Sequence, residues 1–180
     1  IVAGLGHLEK MFPQDSSKFD GIITKAIPYL DANFIKTNTS KNERLSYFYY
    51  SNLHFLYARS FHLDKMPISK KMDSIINIQK KEYKTNWLNY SLYKKGLLAL
   101  TMYRFGDAAF AQKIISNLKE TAARNDEYGM YWIENKSGYY WYQSPIETQA
   151  LLIEAFAEIE KDKKYVDEMK VWLLKQKQLN

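Results

Sequence analysis

The run Tyr139-Tyr140-Trp141-Tyr142-Gln143-Ser144-Pro145-Ile146-Glu147-Thr148-Gln149-Ala150-Leu151-Leu152-Ile153-Glu154-Ala155-Phe156 decides the fold. It joins a block of aromatics to a helix start and then to a nearly all-apolar helix. Ser144 suits the N-cap, and Pro145 suits the first helical position, where a missing N–H is harmless. Glu147 stands three residues after Ser144, the spacing of a reciprocal capping box. Over 150–159 only Glu154 and Glu158 are charged, four apart, so the polar stripe is narrow. A helix apolar over so wide an arc is buried on most sides. The run therefore predicts an inner helix of a layered helical fold, entered through an aromatic loop.

Working outward, helical periodicity dominates and no period-2 strand stands out. Four segments are amphipathic. The segment 18–34 places Phe19, Ile22, Ile23, Ala26 and Leu30 on one face, with Pro28 inside it as an expected kink. The segment 67–79 carries Ile68, Met72, Ile75, Ile76 and Gln79 opposite lysines. Asp107 suits the cap of a third, with Ala108, Ala111, Ile115, Leu118 and Ala122 inward. Asp162 suits the cap of a fourth, with Tyr165, Met169, Trp172 and Leu173 inward. Between them lie helices of wider apolar arc, at 42–61, 88–105 and 145–160, with a shorter one over 1–12. This alternation predicts an all-α fold, an α/α toroid-like array of antiparallel hairpins with inner and outer helices. The first helix is apolar from residue 1 without a cap, and the last outer helix has no inner partner. Residues 1–180 are therefore expected to be a single helical domain, a truncated part of a partial toroid.

The bulk composition bounds the function. Hydrophobic residues make up 46% of the chain and the net charge is +6, with lysines spread among acids along the helices. That spread reads as a solvated face; a nucleic-acid surface needs a concentrated patch with stacking or base-reading groups. No apolar run approaches the roughly 20 residues that span a bilayer, so no direct membrane insertion is expected. There is no cysteine, which excludes disulfides, thiolate metal sites and cysteine nucleophiles within this chain. His7, His54 and His62 show no metal-ligand spacing, and Gly4-Leu5-Gly6 follows no strand that would make it a nucleotide loop. No catalytic, cofactor or metal residue is assigned.

Longer runs carry a resemblance. Asn125-Asp126-Glu127-Tyr128-Gly129-Met130-Tyr131-Trp132, the stretch 140–156 with Ile146-Glu147-Thr148 at its core, and Met169-Lys170-Val171-Trp172-Leu173-Leu174-Lys175-Gln176-Lys177-Gln178 resemble the helical thioester-type domain of bacterial α2-macroglobulin-like proteins. The start, Ile1-Val2-Ala3-Gly4-Leu5-Gly6-His7-Leu8, fits the same family, while 33–84 matches poorly. The resemblance implies an α/α toroid in a protease-trapping inhibitor, with neighbouring macroglobulin domains and target proteases as partners of the full-length protein. It also implies a periplasmic or cell-surface location, through a lipid anchor in some cases. The family's Cys-x-Glu-Gln thioester motif is absent from these residues, so the implied role is structural and non-catalytic, with no cofactor.

Two sets of residues remain to be weighed. Tyr131, Trp132, Tyr140, Trp141 and Tyr142 form a candidate docking surface. The plainer reading is that these aromatics plug one end of the helical array; docking comes next, and stacking against sugars third. Ser144 and Glu147 read as a structural helix cap. A glycosidase role for Glu147 needs a second carboxylate across one bond, and capping explains it without one. The rival to the macroglobulin reading is a carbohydrate-active or carbohydrate-binding toroid domain, and behind it stands a general helical-repeat scaffold.

Overall fold

The computed structural model describes residues 1–39, 49–140 and 143–178. Among them the chain is mostly helical, with eight α-helices and one short two-stranded sheet. It divides into two compact units, Ile1–Asn86 and Trp87–Asn180.

The first unit holds α1 (Val2–Met11), α2 (Ser17–Thr39), α3 (Tyr49–Arg59) and α4 (Lys70–Asn86). Val2, Ile23 and Ile27 are buried together, with Leu5, Phe19 and Leu30 packed around them. The face of α2 is rotated slightly from the expected one: Ile22 is exposed, and Ile27 and Phe34 take the inward positions. α2 and α3 run antiparallel, because successive contacts pair Asp31 with Arg59, Phe34 with Phe55, and Asn38 with Asn52. Gln79 of α4 joins this ladder by donating to Asn38 at 2.8 Å. Arg59 is 1% exposed, yet its charge is compensated. It donates to Asp31 at 3.0 Å and to the carbonyl oxygens of His62 and Met66, which secures the turn after α3. The expected helix start over 42–48 lies outside the described residues.

The second unit holds α5 (Leu92–Arg104), α6 (Ala108–Thr121), β1 (Ala123–Asn125), β2 (Gly129–Tyr131), α7 (Pro145–Ala155) and α8 (Lys163–Gln178). A π-helical turn, Phe156–Glu160, extends α7. Nine of the thirteen residues of α5 are buried, as its wide apolar arc predicts. It starts at Leu92 and not at 88, because Ser91 caps it by accepting from Lys94 N–H at 3.3 Å. A separate 3₁₀ turn occupies Trp87–Asn89.

α6 buries Phe110, Ala111, Ile114, Ile115 and Leu118, a helical stripe, and Asp107 caps it as expected. Asp162 likewise accepts from Lys164 N–H at 2.9 Å at the start of α8, and Met169 and Trp172 of α8 are buried.

α5 and α7 lie side by side and point the same way. Gly96 faces Leu151 and Leu152, while Arg104, one helical length on, reaches Glu154 and Glu158 at 2.6 and 2.7 Å. A Cβ at Gly96 would stand 2.9 Å from a Leu152 methyl, so glycine sets the distance between these helices. Burial pulls the Arg104 pKa down, but the two glutamates outweigh it and hold the guanidinium well above its ordinary value.

One short two-stranded sheet, which no period-2 pattern marks in the sequence, joins the helices of this unit. β1 and β2 pair antiparallel, with Ala123 opposite Tyr131 and Asn125 opposite Gly129. Strands this short carry no readable alternation. The turn between them is built by Asn125, whose side chain accepts from Tyr128 N–H at 2.6 Å, and by Gly129 at φ 66°.

Candidate functional site

The aromatic segment splits between core and surface. Trp132 is 1% exposed; its indole N–H donates to the Leu118 carbonyl at 3.1 Å and its ring tilts on Phe156. It therefore belongs to the core and not to a docking surface, which corrects that part of the expectation. A buried indole needs an acceptor, and the end of α6 supplies one. Tyr131 is half-buried on β2, edge-on to Tyr128 at 6.1 Å. Tyr140 is 56% exposed and meets the fully exposed Tyr139 edge-to-face at 5.4 Å. Trp141 and Tyr142 lie outside the described residues.

Ser144 does occupy the N-cap of α7, with Pro145 first in the helix, but its side chain makes no capping hydrogen bond. The capping box is not formed, and Glu147 is exposed in the first turn. The backbone explains the difference. Ser91, which caps α5, has φ −60° and ψ 159°; Ser144 has φ −104° and ψ 107°. That rotation carries the Ser144 hydroxyl away from the first-turn N–H groups. Among the described residues, no acceptor takes the N–H of Ile146 or Glu147.

Beside this uncapped start lies a cleft of about 310 Å³, at the N-terminal ends of both α5 and α7. Tyr93, Asn135, Gln143 and Thr148 line it, with Glu134 and Lys136 supplying opposite charges. Asn135 is oriented by donating to the Pro145 carbonyl at 3.0 Å, and the Gln143 carbonyl oxygen accepts from Tyr140 N–H at 3.1 Å. Burial, assisted by Glu147, pushes the Tyr93 phenol pKa up, so it stays protonated at neutral pH.

A second, larger groove of about 620 Å³ lies between the hairpin and α8, lined by Arg124, Asp126, Lys164, Asp167 and Glu168. Within it Arg124 stands 3.5 Å from Glu168.

Gln149 is the functional-looking residue that periodicity overlooks. It is fully buried in α7, and its amide N–H₂ donates to the Met130 carbonyl on β2 at 2.9 Å and the Met169 carbonyl on α8 at 3.3 Å. One side chain thus joins three elements. The signal for it was a lone glutamine inside an otherwise apolar helix. Among the described residues, no group of three or more His, Asp or Glu is arranged to hold a metal ion, and no helix is long and apolar enough to cross a membrane.

No family model matches the chain, and neither the curated proteins nor the solved structures contain a match to it.

Proposed function

We propose that this chain is a structural, non-catalytic helical domain of a bacterial α2-macroglobulin-like protease trap. On this reading its partners are the neighbouring macroglobulin domains and, through the full-length protein, target proteases at the periplasmic or cell-surface location of such inhibitors. The observation that carries the proposal is the convergence on Gln149. The three runs that bear the resemblance contribute β2, α7 and α8, and this one amide ties them together. Segments that resemble a family independently are expected to be neighbours if the likeness is structural. The consecutive hairpins α5–α6 and α7–α8, with α5 and α7 parallel, further support an inner and outer layer of the toroid kind.

The test is on the protein as its host makes it. The envelope fraction is isolated, the protein is challenged with endopeptidases of differing specificity, and retained protease is measured after gel filtration. Co-elution of protease with a cleaved, more compact inhibitor is the expected result. A cytoplasmic protein that retains no protease, or one that hydrolyses glycans, would sink the reading in favour of its carbohydrate-active rival.

A further inference from the structure

We infer that two polar clusters among α2, α3 and α4 act as a register lock: they select one alignment of the helices in the first unit and add little to its stability. The inference concerns that unit alone and does not depend on the protease-trap reading.

Apolar packing by itself fixes this alignment poorly. α3 is apolar or aromatic at most of its positions. Leu53 and Leu56 are fully buried and Tyr57 is buried beside them. Phe34 stacks on Phe55 at 4.5 Å. A helical turn is about 3.6 residues. If α3 slid one turn towards the start of α2, Phe55 would meet Leu30, and one apolar contact would replace another.

The polar contacts do not survive that slide. Arg59, 1% exposed, would face Ile27 in place of Asp31, and Asn52, 7% exposed, would face Phe34. A slide the other way would set Arg59 against Ile35. The bonds from Arg59 to the His62 and Met66 carbonyls travel with the chain after α3, so the Asp31 contact at 3.0 Å is the one that depends on register. A buried guanidinium deprived of its carboxylate costs far more than one apolar contact traded for another.

Asn38 makes the second cluster specific. Its amide donates to the Phe34 carbonyl at 2.8 Å and to Asn52 Oδ1 at 3.4 Å. Its Oδ1 accepts from Asn52 at 2.9 Å and from Gln79 at 2.8 Å. All four of its hydrogen-bonding positions are used, by groups from α2, α3 and α4. Moving α3 or α4 by a turn breaks its part of this set. Stability alone does not account for the cluster. Gln79 is 5% exposed, yet its Oε1 has no hydrogen-bond partner, an unfavourable arrangement that an apolar side chain of similar shape would remove. Selecting a register is the best-attested use of buried polar groups kept at such a cost.

The experiment compares the whole chain, isotopically labelled, with two variants by NMR. The first is Asn38→Leu/Asn52→Leu/Gln79→Met. The second adds Asp31→Asn, which weakens the ion pair but leaves Arg59 its carbonyl acceptors. The parent should give one set of resonances over 17–39 and 49–59, with ring contacts between Phe34 and Phe55. The second variant should keep its helical circular dichroism, yet show a further set over those residues at about a tenth of the intensity or more, with contacts from Phe55 to Leu30. The first should show the same further set more weakly. The inference is overturned if the second variant keeps the parent's single set and its Phe34–Phe55 contacts, because apolar packing then fixes the register unaided. It is also overturned if the first unit of either variant unfolds, because the clusters then supply stability and not selection.

Discussion

Replacing Gly129 with alanine tests how the hairpin sits on α8. Gly129 has φ 66°, a conformation that costs an L-residue about 1–2 kcal/mol. A Cβ there would also collide with the Glu168 carbonyl oxygen and stand 2.9 Å from its carbon and 3.1 Å from Val171 Cβ. Those first two atoms are helix backbone, which cannot rotate away as a side chain can. The hairpin must lift, adding roughly 1–3 kcal/mol of overpacking. The lift also strains the Gln149 bond to the Met130 carbonyl, a hydrogen bond of about 1 kcal/mol. The expected total is about 3–6 kcal/mol.

Gly106 isolates the conformational part. Its φ is 84°, but nothing lies within 4 Å of where a Cβ would go. Gly106→Ala should therefore cost only about 1–2 kcal/mol. All the tryptophans, Trp87, Trp132, Trp141 and Trp172, belong to the second unit, so their fluorescence in urea reports its unfolding. With a slope of about 1–3 kcal/mol per molar urea, the difference between the variants moves the midpoint by about 1 M. Equal midpoints for the two variants would falsify the close hairpin–helix contact.

Other substitutions probe the same unit and its neighbour. Ser91→Ala should destabilise by about 1 kcal/mol as a lost cap, while Ser144→Ala should change stability by less than about 0.5 kcal/mol; the reverse order in urea titrations would restore the capping box at α7. Arg104→Ala should cost about 2–3 kcal/mol by removing the guanidinium that donates to both Glu154 and Glu158, and Arg104→Lys should recover less than half of that, because lysine lacks the fork that reaches both. His62 is fully buried; desolvation lowers its pKa from the ordinary 6.5, against smaller raising effects of the Val2 carbonyl and Glu9. The unfolded chain therefore binds the proton more readily than the folded one. This contribution to stability is present above about pH 6.5 and is lost as pH falls through that value towards the folded pKa. Hydrogen exchange across 53–62, corrected for intrinsic rates, should show less protection at pH 5.5 than at 7.5, and equal protection would contradict the sign.

The amphipathic stripes of α4, α6 and α8 and the caps at Asp107 and Asp162 were legible from the chain alone. Each depends on groups within about one helical turn, so local order in the sequence is sufficient to specify them. The wide apolar arc of α5 was legible for the same reason, although its first residue was set by Ser91 and not by the apolar pattern.

The rest was decided by tertiary packing. The Asn125 to Gly129 turn was visible as loop chemistry, but three-residue strands have no period to read, and they persist because β2 packs on α8. Ser144 has the right spacing to Glu147 for a capping box, yet its ψ is set by the entering chain, and the hydroxyl misses its donors. Trp132 and Tyr140 belong to one aromatic block in sequence; one is core and the other surface, because only Trp132 reaches the open end of α6. Gln149 looks like a polar residue at an inconvenient position until β2 and α8 supply carbonyl oxygens, and so does Arg59 until Asp31 of α2 supplies a carboxylate. Spacing in a sequence records which groups share a helix face; it does not record the dihedral angles or distant acceptors that decide what those groups bind.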